Sequence, residues 1–320
     1  MPTTTTPRTK AFIALHSAVF LWGFTAILGK LISYGSLYLV WHRMAITAAI
    51  YLLIPAVWKQ LKSLSLKTTL NFAGIGLIVC AHWITFYGSI KLGNSVSITL
   101  ACLGSASFFA AVIEPTILRK PYSLRDIFMG LIVMLGIVLI YFSLPAQPQA
   151  TAAQPNLSYG WAIITGILSA ALAATFTTLN KKFITTAPTL AISTIEMMSG
   201  AIVLSLIILL FPMGDYQAFP AIDMAALNLQ NLRTGPWDFV WIGLLAVLCT
   251  NLTFYLGTYA LKQLSAFTAN LTVNLEPIYG IVLGALIFKE NEDLNLWFYL
   301  GTSLILGAIF TQAYLSSKEN

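Results

Sequence analysis

Continuous apolar runs of about twenty residues recur along nearly the whole chain, separated by short polar gaps. Because the runs are continuous rather than alternating, they predict helices and not barrel strands. A bilayer core of about 30 Å needs roughly 20 residues at about 1.5 Å rise each. The runs place ten transmembrane helices at 12–32, 36–57, 69–90, 94–118, 126–144, 160–180, 188–211, 237–261, 265–288 and 296–315. The predicted fold class is an all-α membrane protein. The first run, Phe12 to Ile32, exceeds a secretory h-region and lacks a small-x-small cleavage site, so it is expected to be a retained first helix.

Two gaps are longer than the rest. Residues 145–159 (PAQPQATAAQPNLSY) carry no charge and are rich in Pro, Ala and Gln, the composition of a flexible linker. Residues 212–236 hold Asp215, Asp223 and Arg233. The linker divides the chain into a first five-helix unit, 1–144, and a second, 160–320. The units share residues in order. Phe24-Thr25 matches Phe176-Thr177 and Lys30 matches Lys182 at an offset of 152; Thr85-Phe86-Tyr87 matches Thr253-Phe254-Tyr255 at 168; Gly130 and Gly136 match Gly301 and Gly307 at 171. The offset grows in one direction only, as an internal repeat requires. Five helices is an odd number, so the second unit must enter the membrane upside down. The expected architecture is two inverted repeats, a recurrent design of secondary transporters.

Charge fixes the orientation and narrows the function classes. The 320 residues are 58% hydrophobic and 9% charged, with a net charge of +6. So little charge cannot cover a water-facing surface, for which about 25% is usual. With the N-terminus inside, twelve of the 17 Lys and Arg residues fall on the inner side. Lys30, Lys91, Arg233 and Lys289 fall outside, and Arg43 lies within a helix. That bias predicts both termini in the cytoplasm of an inner (plasma) membrane and reads the basic balance as topology, not nucleic-acid binding. Cys80, Cys102 and Cys249 lie in apolar runs without metal or disulfide spacing and are expected to be small core residues. There is no Walker motif, metal cluster or nucleophile constellation, so no cofactor and no enzymatic activity are expected.

Charges inside helices cost about 2.5–3.5 kcal/mol each on insertion scales and persist where they face protein or water. Arg43, Glu196 and Glu276 are of this kind. Arg43 and Glu196 are equivalent in the repeat and opposite in charge, which allows an internal ion pair or contact with a zwitterionic substrate. Glu276 falls near the middle of the ninth run, beside Pro277, with Asn270 and Asn274 on the same helical side. A cavity lining and a polar network holding a kink are both open for it. In helices three and eight, Trp83 and Tyr87 match Asn251 and Tyr255, aromatic and amide groups suited to small organic ligands or to ordinary packing. His82 adjoins Trp83 and reads as a core histidine or a proton relay. Glu114 sits one turn from Arg119, and register aligns it with Gly284, not with Glu276.

The runs FLWGFTAILGK (20–30), VWHRMAIT (40–47) and NLEPIYGIVLGALIFKE (274–290) resemble the EamA-type drug/metabolite transporter superfamily, and the five-plus-five layout extends that resemblance over the whole chain. The resemblance implies a central cavity between the repeats and export or exchange of amino acids, metabolites or drugs. Trp22, in the first run, becomes a candidate cavity residue. The superfamily often has a proline in helix four matching that of helix nine; this sequence has Ser107 there, within the small-residue stretch 104–107, which removes the proline expected to kink that helix. The expected partners are a small-molecule substrate and the lipid bilayer. Proton coupling and a homodimer are compatible with the pattern, and no nucleic acid is expected. A membrane-embedded lipid-processing enzyme and a non-transporting scaffold are the competing classes.

Overall fold

The computed structural model describes residues 7–143, 159–210, 235–261, 264, 272–273, 275–292 and 294–317. Of the described residues 89% are helical, and none lies in a strand. The first half runs through α1 (Pro7–Leu31), α2 (Ser36–Leu52), α3 (Pro55–Lys62), α4 (Leu66–Gly93), α5 (Val96–Leu103), α6 (Ala106–Leu118) and α7 (Leu124–Ser143). The second runs through α8 (Tyr159–Phe183), α9 (Thr189–Leu210), α10 (Asp238–Ala246), a π-helical turn (Val247–Leu252), α11 (Thr253–Leu261), α12 (Glu276–Phe288) and α13 (Leu296–Ser317). Among the described residues seven segments are long and apolar enough to cross a membrane, eight if the bent pair α2–α3 counts as one, and two further apolar helices are shorter. The protein is a multi-pass membrane protein. Apart from Tyr159, the expected linker lies outside the described residues.

Three predicted helices change shape, each for a local reason. The second stops at Leu52 instead of residue 57, because Ile54 is extended and Pro55 occupies the first turn of α3, where its missing N–H costs nothing. α3 then turns 92° from α2. The fourth breaks at Gly104 and Ser105 into α5 and α6. The interruption of the helix there needs no proline. Ser105 and Ser107 donate side-chain hydrogen bonds to the carbonyls of Cys102 and Gly104 at 2.7 and 3.0 Å. In the ninth, α12 begins at Glu276, after a turn at Leu275, so Glu276 lies in a first turn rather than mid-helix. Pro277 there interrupts no ladder.

The matched lengths carry the repeat into three dimensions. α1 and α8 each span 25 residues. α6 and α12 each span 13, begin 170 positions apart, and end at Arg119 and Lys289, non-glycine residues held left-handed at φ 54° and 55°. α1 and α8 point opposite ways. The end of α1 lies beside Asn94, between α4 and α5. The first turn of α8 lies at that same end, where the Ala162 carbonyl accepts from Ser89, while Lys181 near the close of α8 reaches Glu114 at the far end of α6.

Packing puts the two halves in intimate contact. A central core joins Ile27 of α1, Leu39 and Met44 of α2, Phe72 and Tyr87 of α4, Met197 of α9 and Leu245 of α10. A second core joins Val133 and Ile137 of α7 to Phe298 and Ile305 of α13. There the backbones touch: a Cβ on Gly301 would stand 2.5 Å from the Gly136 carbonyl, the small-residue contact that draws lipid-embedded helices together. The three cysteines are free and buried, as core residues would be.

One end is tied by a single carboxylate. Glu290, just past α12, accepts from Val96 N and Ser97 N at 2.9 Å each, and from Ser95 Oγ at 3.1 Å, thereby capping α5. Lys30 at the end of α1 pairs with it at 2.8 Å and donates to the Asn94 carbonyl at 2.6 Å. Beside them, Asp238 Oδ1 accepts from Ser33 N at 2.9 Å and Lys91 bonds the Ile32 carbonyl. Burial pushes the Glu290 carboxyl up, but Lys30, Ser97 and the Val96 amide outweigh it and hold the group below its usual range. A depressed carboxylate contributes stability above its unfolded pKa and loses it as pH falls through the folded one. Glu290→Ala is therefore expected to cost about 3 kcal/mol at neutral pH, seen as a lower Tm in detergent. The gap from the unsubstituted protein should begin to narrow as pH falls below the ordinary carboxylate range and close as the folded Glu290 carboxyl takes up its proton.

Candidate functional site

Arg43 is the centre of the polar groups buried between the halves. The packing of α2 leaves Arg43 4% exposed. A buried guanidinium needs acceptors and a surface to lie on. Tyr87 of α4 accepts from Nη1 at 2.7 Å, and Thr250 accepts from Nε at 2.9 Å. The guanidinium carbon lies 3.7 Å from the centroid of the Trp83 ring. Trp83 and Tyr87 are four apart on one helix and so project together. Gly29 of α1 is what admits the Tyr87 ring, which a side chain at that position would strike.

Thr250 reaches Arg43 because the helix is wide there. The π turn loosens the usual ladder, and side chains make up for it. Thr250 Oγ1 donates to the Leu245 carbonyl at 2.9 Å and Asn251 Nδ2 to the Ala246 carbonyl at 3.0 Å. With its own hydrogen spent on Leu245, Thr250 can serve Arg43 only as an acceptor. Thr250 was not among the sequence candidates; its signal is slight, a Thr-Asn pair interrupting an apolar run.

Arg43 does not pair with Glu196. Its hydrogen bonds go to the two neutral hydroxyls, and nothing among the described residues accepts from Nη2. Glu196, 5% exposed, has Asn180 of α8 as its hydrogen-bonding neighbour. The correction follows from placement: Arg43 is turned toward α4 and the π turn, whereas Glu196 is turned toward α8 and Tyr51. Glu276, at the N-terminus of α12 where the helix dipole favours a carboxylate, lies within electrostatic reach of Arg43. No ion pair joins the two among the described residues.

The other candidates scatter. His82 is buried, with Nδ1 2.9 Å from both the Ser169 carbonyl and Ser169 Oγ, a contact that joins α4 to α8. Trp22 packs against the cluster of Leu15, Val19 and Ala260, which Leu275 and Tyr279 on either side of Glu276 also join. Asn251 is half-buried, its Oδ1 without a hydrogen bond. Tyr255 is 68% exposed, unlike its counterpart Tyr87, which is fully buried. The extra residue in the π turn rotates the residues after it, so equal spacing in sequence does not give equal facing. Asn270 and Asn274 lie outside the described residues. Glu114 is an end-of-helix carboxylate, bonded to Lys181 at 2.7 Å and Lys120 at 3.3 Å.

Comparison with known proteins decides the lineage. The model of the EamA-like transporter family matches residues 9–142 and again 160–312. The chain belongs to the EamA-like transporter family. A solved crystal structure, titled only as that of a protein, shares the fold at a TM-score of 0.59 over 96% of this chain and 97% of its own, with 14% identity. No curated protein matches the sequence. Within this EamA-like chain, Arg43 supplies charge, two hydrogen bonds and a flat stacking face at once, and lysine can supply only the first. Arg43→Lys is expected to lower stability by about 2 kcal/mol. Trp83→Leu should cost less, about 1 kcal/mol. Thermal unfolding of the purified variants measures both.

Proposed function

We propose that the protein is a secondary transporter that carries a small metabolite, an amino acid or related compound, across the inner membrane by alternating access, in export or exchange. In this reading ten helices cross the membrane as two inverted five-helix repeats about a central cavity, with both termini in the cytoplasm. The opposed directions of α1 and α8 and the matched ends of α6 and α12 support the inversion. The observation that carries the proposal is that Arg43 and Glu276 lie within electrostatic reach of each other. One comes from each half, opposite in charge, and no ion pair joins them among the described residues. A zwitterion would bridge them, with its carboxylate on Nη2 of Arg43 and its ammonium on Glu276. Relative motion of the halves then changes access without dismantling either half-site.

In the proposed orientation, the end tied by Lys30, Glu290 and Asp238 is the outer one. The inner end is bridged by Glu114 to lysines that are 54% exposed, and exposed pairs are weak. The conformation thus has a strong outer tie and a weak inner one.

Counterflow in proteoliposomes tests this, with labelled alanine, phenylalanine and glutamate. At least one should exchange saturably. Arg43→Met and Glu276→Gln should each fold and lose that exchange by at least about tenfold, the equivalent of about 1.4 kcal/mol of binding. Exchange that survives both substitutions would overturn the site. For orientation, a cysteine at Gln149 should be labelled from outside intact cells and one at Lys62 only after permeabilisation.

A further inference from the structure

Glu196 is the buried acid that the proposed substrate site does not use. It lies seven residues into α9, about 10 Å along the axis, and no ion pair reaches it among the described residues. Its surroundings are polar but neutral. Asn180 of α8 is its hydrogen-bonding neighbour, and Tyr51 of α2 lies within electrostatic reach of it. Arg43, two turns before Tyr51 on α2, is taken up by Tyr87 and Thr250. From α4 come Cys80 and His82, the latter bonded to Ser169. From α3 come Lys59 and Lys62, both exposed. Among the described residues no cation pairs with this carboxylate.

The unmet hydrogen bonds say what would. Glu196 Oε1 and Asn180 Oδ1 are both buried and both lack a partner. Each is an acceptor. An amide beside a carboxylate can make one bond, N–H to oxygen, and leaves two acceptors facing with nothing between them. An amide beside a carboxylic acid makes two, N–H to C=O and O–H to Oδ1, and satisfies both groups. Unsatisfied acceptors at this depth are costly. Three more hydroxyls without partners lie nearby: Ser193 one turn back on α9, and Thr47 and Tyr51 one turn apart on α2, which packs against α9.

We propose that Glu196 and Asn180 form a proton-binding site, an acid–amide pair that takes up one proton between Oε1 and Oδ1 and supplies the coupling proton for transport. The proton arrives from water, forms the O–H bond on Oε1, and leaves the same way when the halves change position. The coupling role rests on the transport reading above; the proton site does not. It also gives the two buried acids separate tasks: Glu276 serves the substrate near Arg43, and Glu196 holds the proton.

Infrared difference spectroscopy of the full chain in lipid, between about pH 5 and 9, reads the proton without any substrate. A protonated-carboxyl C=O band is expected that Glu196→Gln abolishes and Asn180→Leu shifts. A pH-difference spectrum unchanged by Glu196→Gln would overturn the site. In proteoliposomes loaded with labelled alanine, phenylalanine or glutamate, Glu196→Gln should keep counterflow but lose accumulation driven by a pH gradient by at least about tenfold. Full gradient-driven accumulation by that variant would overturn the coupling role. If the original protein moves none of the three while the band behaves as expected, the zwitterion reading fails and the proton site stands.

Discussion

Inside a bilayer, a backbone N–H or C=O has no water to fall back on, so each must be satisfied by the protein itself. An unbroken helix does this for nothing. A helix that breaks needs a partner at every exposed end, and this chain breaks its helices where α5 meets α6, before α12, and at the π turn. Several polar residues of the interior serve those breaks. Glu290 caps α5, Ser105 and Ser107 bond carbonyls at the α5–α6 break, and Thr250 and Asn251 bond carbonyls at the π turn.

From that constraint comes a division of labour among the buried charges. Glu290 and Lys30 are saturated with partners, and a saturated pair in low dielectric is a tie. Arg43 is partly saturated: two neutral acceptors and an aromatic face hold it, and one edge stays open. Glu196 is the least satisfied, with an oxygen that has no partner. Structural charges are fully bonded, whereas a group that must exchange a ligand or a proton has to keep a bonding position free.

The two halves share a frame but not its chemistry. Where the second half has Glu290, the aligned position in the first is Lys120; where the first has Lys30, the second has Lys182. The Lys–Glu tie cannot therefore be copied at the opposite end, and Glu114, from a different position, bridges Lys181 and Lys120 instead. The symmetric scaffold gives two related arrangements, and these substitutions make one end hold more firmly than the other.

The apolar runs determined that this is a multi-pass helical membrane protein, since a run of that length has one cheap environment. The spaced matches between Phe24 and Phe176, or Gly130 and Gly301, disclosed the repeat, and the rarity of buried charge singled out Arg43, Glu196 and Glu276. What each charge faces was decided only by tertiary structure. Sequence equivalence suggested Arg43 with Glu196; packing turned one toward Tyr87, Thr250 and Glu276 and the other toward Asn180 and Tyr51. The same holds for Tyr255, matched to Tyr87 in sequence but exposed beyond the π turn, and for the break at Gly104, which needed no proline. Hydrophobic pattern is read from one residue at a time, because transfer from water to lipid is nearly additive. A partner is a matter of direction, set by helix rotation and local winding, and one inserted residue in a turn is enough to change it.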